Sequence, residues 1–186
     1  MKKRIGCILF GLFVVLYVCA FCFSRNWAKK PIIKYYEKNE TILYDGVEYT
    51  FDAELLDEKE LVDKYDVPEE ILASTVYCKE FYVFKYIIIK VKMKRVAGSQ
   101  LNHSHSNVLS KYIQAGGWDD VENFLEGDNR ISSRELEIGQ EAECYQVNKL
   151  NKCYENDKLK FDEQTFYIEF KDYEGHEYLE RVRILN

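Results

Sequence analysis

The chain of 186 residues carries 26 Lys/Arg against 32 Asp/Glu, a formal net charge of −6, with only two prolines but 15 tyrosines and 11 phenylalanines. The charge is unevenly divided: residues 1–30 hold six basic residues and no acid, which leaves the remainder at −12. An acidic body repels phosphate backbones, which argues against a nucleic-acid partner, and an aromatic, proline-poor composition favours strands.

The first element runs from Ile5 to Phe23, 19 residues without a charge, between Lys2-Lys3-Arg4 and Arg25. As a helix it would span roughly 28 Å, close to the hydrocarbon thickness of a bilayer. It is longer than the hydrophobic core of a secretory leader, usually about 7–15 residues. The expectation is an uncleaved signal anchor over residues 1–24 that meets the lipid bilayer through residues 5–23. A leader cleaved near Cys22-Phe23-Ser24 is the other reading, and it would make the body a secreted one. Positive charges are nearly balanced across the segment, so the orientation follows the default for a short N-terminal tail, with the body extracytoplasmic. Residues 25–39 read as a stalk, and residues 40–186 as the folded domain.

Within that domain the opening signal is Ile42-Leu43-Tyr44, Asp45-Gly46, Val47 to Phe51. Asp-Gly between alternating runs predicts a type I′ hairpin, because both central residues need positive φ. Residues 54–74 carry acids and leucines at helical spacing, interrupted by Pro68, and read as one or two short helices or an acidic loop. Phe81 to Val96 is the clearest strand. Its second half alternates Ile87, Ile89, Val91 and Met93 with Ile88, Lys90, Lys92 and Lys94, while its first half is apolar on both faces and predicts burial between two layers.

Residues 97–133 read as a helical insertion that opens polar. Trp118, Val121, Phe124 and Leu125 form a helical stripe, with Asp119 and Asp120 in the first turn and Gly127 as the stop. Strands are expected again at Arg134–Ile138, at Glu143–Val147 with Leu150–Tyr154, at Leu159–Phe161, at Thr165–Phe170 and at Glu177–Leu185. Several short strands with turn signals between them suggest an antiparallel sandwich.

Cys144 and Cys153 are candidates for a disulfide. If Asn148-Lys149 closes a two-residue hairpin, the two cysteines fall at a non-hydrogen-bonded pair, where side chains approach most closely. Buried thiols are the alternative, and Cys78 is left odd. His103 and His105 lie on one side of an extended segment, but two imidazoles do not complete a zinc site. No metal or cofactor is therefore expected. The sequence holds no G-x-S-x-G, H-E-x-x-H, Walker loop or G-x-G-x-x-G, so no enzyme is expected.

The stretches ILYDGVEYTFDAELL, FYVFKYIIIKVKMKRV and RVRIL resemble the small secreted or membrane-anchored immunoglobulin-like domains of unknown function common in Firmicutes. The resemblance covers residues 40–96 and 134–186 and carries no catalytic signature. It implies a mainly β fold, an antiparallel immunoglobulin-like β-sandwich with one or two short helices, held at the cell envelope by the N-terminal transmembrane helix. The expected function is a binding or structural module for a protein or cell-wall partner. Its contact surface is expected on the 97–133 loop, with Trp118, His103 and His105. An immunity or inhibitor protein acting on a toxin or peptidase at the membrane is the alternative, since acidic charge suits a basic target.

Overall fold

The computed structural model describes residues 13–21, 32–74, 84–99, 104–115, 120–127, 131–151, 159–172 and 178–186. Two compact units divide the chain, Met1–Ile32 and Ile33–Asn186. In the first, residues 13–21 are helical (α1), and Phe13, Val15, Leu16, Tyr17 and Val18 stand exposed around that helix. Among the described residues no helix is long and apolar enough to cross a membrane, and the rest of the 5–23 run lies outside them.

The larger unit is mainly β. Its strands are β1 (Ile32–Tyr36), β2 (Ile42–Tyr44), β3 (Val47–Asp57), β4 (Phe84–Arg95), β5 (Ser104–Leu109), β6 (Gln114–Ala115), β7 (Glu141–Asn151), β8 (Phe166–Asp172) and β9 (Tyr178–Leu185). They form a first sheet in the order β1-β9-β8-β5-β6 and a second in the order β2-β3-β4-β7. The two sheets share one core. Phe51, Ile87, Ile89, Val91 and Met93 of the second sheet meet Val108, Phe166, Ile168, Phe170, Val182 and Ile184 of the first. Phe170 is the centre of an aromatic group, with ring centroids 4.7 Å from Tyr44, 5.3 Å from Tyr49 and 6.0 Å from Phe51.

The second sheet is covered on its other face as well. Helices α2 (Glu58–Tyr65), α3 (Glu69–Ser74) and α4 (Asp120–Glu126) bring Leu61, Leu72 and Val121 onto Tyr86, Ile88 and Val147. Burying each such side chain contributes about 1.5–3 kcal/mol. Tyr86–Ile89 of β4 are therefore buried on both faces because layers lie on both sides of them; of Phe81–Phe84, where the sequence predicts such burial, only the half-buried Phe84 is among the described residues. Beyond Ile89 the helices stop, and Lys90, Lys92 and Lys94 turn to solvent.

Local chemistry fixes these elements. Asp57 caps α2 by accepting from Glu60 N–H, while the Glu60 carboxylate accepts from Asp57 N–H, both at 2.9 Å. Such a reciprocal pair satisfies two otherwise orphaned donors. Asp66, at φ 53°, ends the helix by donating to Val62 C=O. Asp45 (φ 50°) and Gly46 (φ 73°) make the expected hairpin turn, with Tyr44 opposite Val47. Gly127, at φ 57°, stops α4 as its position suggests.

One end of the core is closed by Arg95, which is only 4% exposed. Its guanidinium donates to the carbonyls of Asp45 (2.9 Å), Ala97 (3.3 Å) and Ser133 (2.5 Å). Val96 and Ala97 N–H both donate to Gly46 C=O. A Cβ on Gly46 would stand 2.5 Å from the Ala97 oxygen, so backbone packing as well as positive φ requires glycine there.

Several elements differ from the sequence reading. Ile32–Tyr36, assigned to the stalk, is strand β1 beside β9. The 97–133 insertion contributes strands β5 and β6 as well as α4. Residues 134–138 form turns, because Glu135 N–H closes back on Ser132 C=O and Gln140 N–H on Glu137 C=O. Phe161 begins a 3-10 turn rather than ending a strand. The hairpin expected at Asn148-Lys149 does not form. β7 runs unbroken from Glu141 opposite Lys94 to Asn151 opposite Phe84. Asn148 and Lys149 lack the positive φ that a two-residue turn demands, and β4 offers a partner to every residue of the longer strand.

Replacing Arg95 with Ala strips three carbonyls of their donor. We expect a loss of about 3 kcal/mol, read as a fall in the urea midpoint. Leu43→Ala, at an exposed position of β2, should change stability by less than about 0.5 kcal/mol.

Candidate functional site

Trp118, His103 and Cys153 lie outside the described residues, as does Cys78. His105 sits in β5 opposite Lys171. Cys144 is half-buried on the core face of β7, opposite Val91. The hairpin pairing that would set Cys144 opposite Cys153 does not form, since β7 runs unbroken through Asn148-Lys149, and Cys153 itself lies outside the described residues. Among the described residues no group of three or more His, Cys, Asp or Glu is placed to hold a metal ion.

The outer face of the first sheet carries the most organised polar cluster. Directly paired residues share a face, so the β5–β8 and β8–β9 registers set two rows across it. They are Asn107–Glu169–Arg181 and Leu109–Tyr167–Arg183. The first row contains an ion pair in which Arg181 Nε and Nη2 converge on Glu169 Oε2 at 2.7 and 2.6 Å. Glu169 is 1% exposed although it points away from the core. Arg181 also reaches the Tyr35 hydroxyl at 3.4 Å, and its guanidinium carbon stands 6.0 Å from the Tyr35 ring centroid. Burial works against the charge of Arg181. The hydrogen bond and charge of Glu169, with Tyr35, outweigh it and hold the guanidinium above its ordinary pKa.

Tyr35 packs edge-on against Tyr167 at 5.8 Å and is 57% exposed. Beside it, Arg183 Nη2 meets Glu37 Oε2 at 2.6 Å. The result is a connected patch of tyrosine and arginine, the residue types enriched where proteins contact proteins. It forms an open face with no nucleophile–base pair among these groups. Local sequence pattern does not reveal it, because Tyr35 and Arg181 are 146 residues apart. The alternation Arg181-Val182-Arg183 beside an early Tyr-Tyr is the one trace it leaves.

The basic row of β4 is neutralised on the second sheet. Lys90 and Lys92 meet Glu143 at 2.7 and 3.3 Å, and Lys94 meets Glu141 at 2.7 Å. Asp52 and Glu48 of β3 stand opposite Lys90 and Lys94 on the other side. Hydrogen bonds and charge from the lysines hold Glu141 and Glu143 below the usual carboxylate range, and the same contacts raise Lys90 and Lys94. Next to this ladder the α2 and α3 surface is acidic, with Glu60, Asp63, Asp66, Glu69 and Glu70 exposed. Tyr65 and Lys64 both donate to Glu54. Burial, and then the Glu54 carboxylate, pushes the Tyr65 phenol well above its ordinary pKa.

Arg181→Ala leaves a buried carboxylate without its partner and should cost about 3 kcal/mol, seen in chemical unfolding. Adding Glu169→Gln to that variant should recover part of the loss, since an amide needs no counter-charge. The Glu141 and Glu143 contribution is complete above the unfolded carboxylate pKa of about 4.3 and is lost as pH falls through their lower folded values. An acid titration of Glu143→Gln should show a shallower decline than the parent. No known protein family, curated protein or solved structure matches the chain.

Proposed function

We propose that the chain is a membrane-anchored, extracytoplasmic binding or structural module, without catalytic activity, whose immunoglobulin-like body presents the outer face of its first sheet to a protein or cell-wall partner. The observation that carries the binding role is the Tyr35–Tyr167–Arg181 patch. Pinned from behind by Glu169, it orders its side chains before any partner arrives, which lowers the entropic cost of contact.

Two observations support the rest of the reading. Apolar side chains stand exposed around α1, and a helix apolar on all sides needs either a protein interior or a bilayer around it. The order β3-β4-β7 facing β6-β5-β8-β9 corresponds to strands A, B and E facing C′, C, F and G of immunoglobulin-type sandwiches. On that mapping α4 precedes β7 where strand D would run.

The alternative of an immunity or inhibitor protein has its own observation, the exposed carboxylates of α2 and α3, which suit a basic toxin or peptidase. Protection of cells from a co-encoded toxin, lost on neutralising those carboxylates, would select it.

A tag after Asn186 and protease added to intact cells test the placement. The tag should be removed without lysis, from a chain whose mass retains residues 1–24. A tag shielded until lysis overturns the placement, and a mature chain starting past Ser24 replaces the anchor with a leader. A photoreactive residue in place of Tyr35 should then cross-link to a cell-envelope component, and the same residue at Leu43 should not. The reverse pattern moves the contact surface off this face.

A further inference from the structure

Among the described strands β7 is the outermost of the second sheet, so one row of its backbone groups faces away from β4. Two donors in that row are occupied by side chains of α4. Val147 N–H donates to the Glu122 carboxylate at 2.8 Å, and Tyr145 N–H donates to the Glu126 carboxylate at 3.2 Å. The match is geometric. Four residues of α-helix rise about 6 Å, and two residues of strand rise about 6.7 Å. Carboxylates at i and i+4 therefore stand in register with alternate amides of a strand. Glu122 is buried, a position that costs desolvation unless the carboxylate is hydrogen-bonded. The apolar anchor of α4 is supplied separately by Val121. An uncovered strand edge is a template for another strand.

We propose that α4 is a guard over the β7 edge, and that the strand it keeps out is β7 of a second copy of this chain. The register argues for that occupant. With Val147 and Tyr145 facing outward, alternation puts residues 143 and 149 in the same row. Antiparallel self-pairing about a two-fold axis through Gln146 sets Tyr145 opposite Val147 and Glu143 opposite Lys149, each pair occurring twice. Those are an aromatic–β-branched pair and an opposite-charge pair, both favourable across strands, and no like charges face each other. Moving the axis by one residue either way loses both of these pairings.

The test uses the full-length chain carrying Cys144→Ser and Gln146→Cys, with and without Glu122→Ala/Glu126→Ala. In the proposed register the two positions 146 form a non-hydrogen-bonded pair with Cα atoms about 4.5 Å apart, within disulfide reach. Under mild oxidation the chain with both carboxylates should keep its own mass. Without them it should shift to twice that mass, with a peptide linking position 146 to position 146. Equal linkage with the carboxylates intact overturns the guard, and a folded guardless chain that lacks the 146–146 link overturns the occupant. Glu126→Ala alone, at a half-buried carboxylate, carries the same comparison if the double change prevents folding.

Discussion

Strand β4 is the constraint on which the rest of the larger unit depends. It is hydrogen-bonded along both edges, to β3 from Val47 to Asp57 and to β7 from Glu141 to Asn151. Over Tyr86–Ile89 it is also buried on both faces. A strand so enclosed dictates its neighbours: β3 and β7 must be long to pair it, and a layer must cover Tyr86 and Ile88. The helices between β3 and β4 supply that layer together with α4. Where they end, the outward side chains become lysines, and acids on both flanking strands balance them.

The end of this enclosure is sealed by a cation. Arg95 continues the inward-facing row of β4, yet it is satisfied by backbone oxygens from three separate segments. Carbonyl dipoles are weaker counter-groups than a carboxylate, but they cannot be lost to protonation. The Asp-Gly turn, the exit of β4 and the 131–140 loop are thereby tied at one point. The first sheet uses the opposite arrangement, with a full ion pair between Glu169 and Arg181 on its outer face.

Much of this was legible in the chain. Asp45-Gly46 marks a turn because few dipeptides accept two positive φ values. The acid-leucine spacing of α2, the Val121 stripe of α4 and its Gly127 stop follow helical periodicity. β5 was not legible, since Ser104-His105-Ser106-Asn107 has no apolar alternation, and only Val108 marks it as core. β7 was divided in two because Asn148 interrupts the pattern. Its side chain is 1% exposed, and among the described residues its Nδ2 has no hydrogen-bond partner. An unpaired buried amide costs about 1–3 kcal/mol, which sequence reasoning takes as a reason to place it elsewhere. The tyrosine–arginine patch depends on β1 meeting β9 across nearly the whole chain, and no local window contains both.

The separation of partners along the chain also sets an order of events. β3 and β4 meet after 28 residues at Asp57–Lys85 and after 48 at Val47–Arg95. β4 and β7 meet after 47 at Lys94–Glu141 and 67 at Phe84–Asn151. Closing long loops is entropically slow, which places such topologies in the millisecond-to-second range. Of the pairings made by β4, the shortest closure lies beside α2, where the reciprocal Asp57–Glu60 cap supplies local support. Loop length alone thus favours zippering β3 onto β4 from the helical end toward Arg95, which would make the guanidinium knot the last contact of that pair to lock.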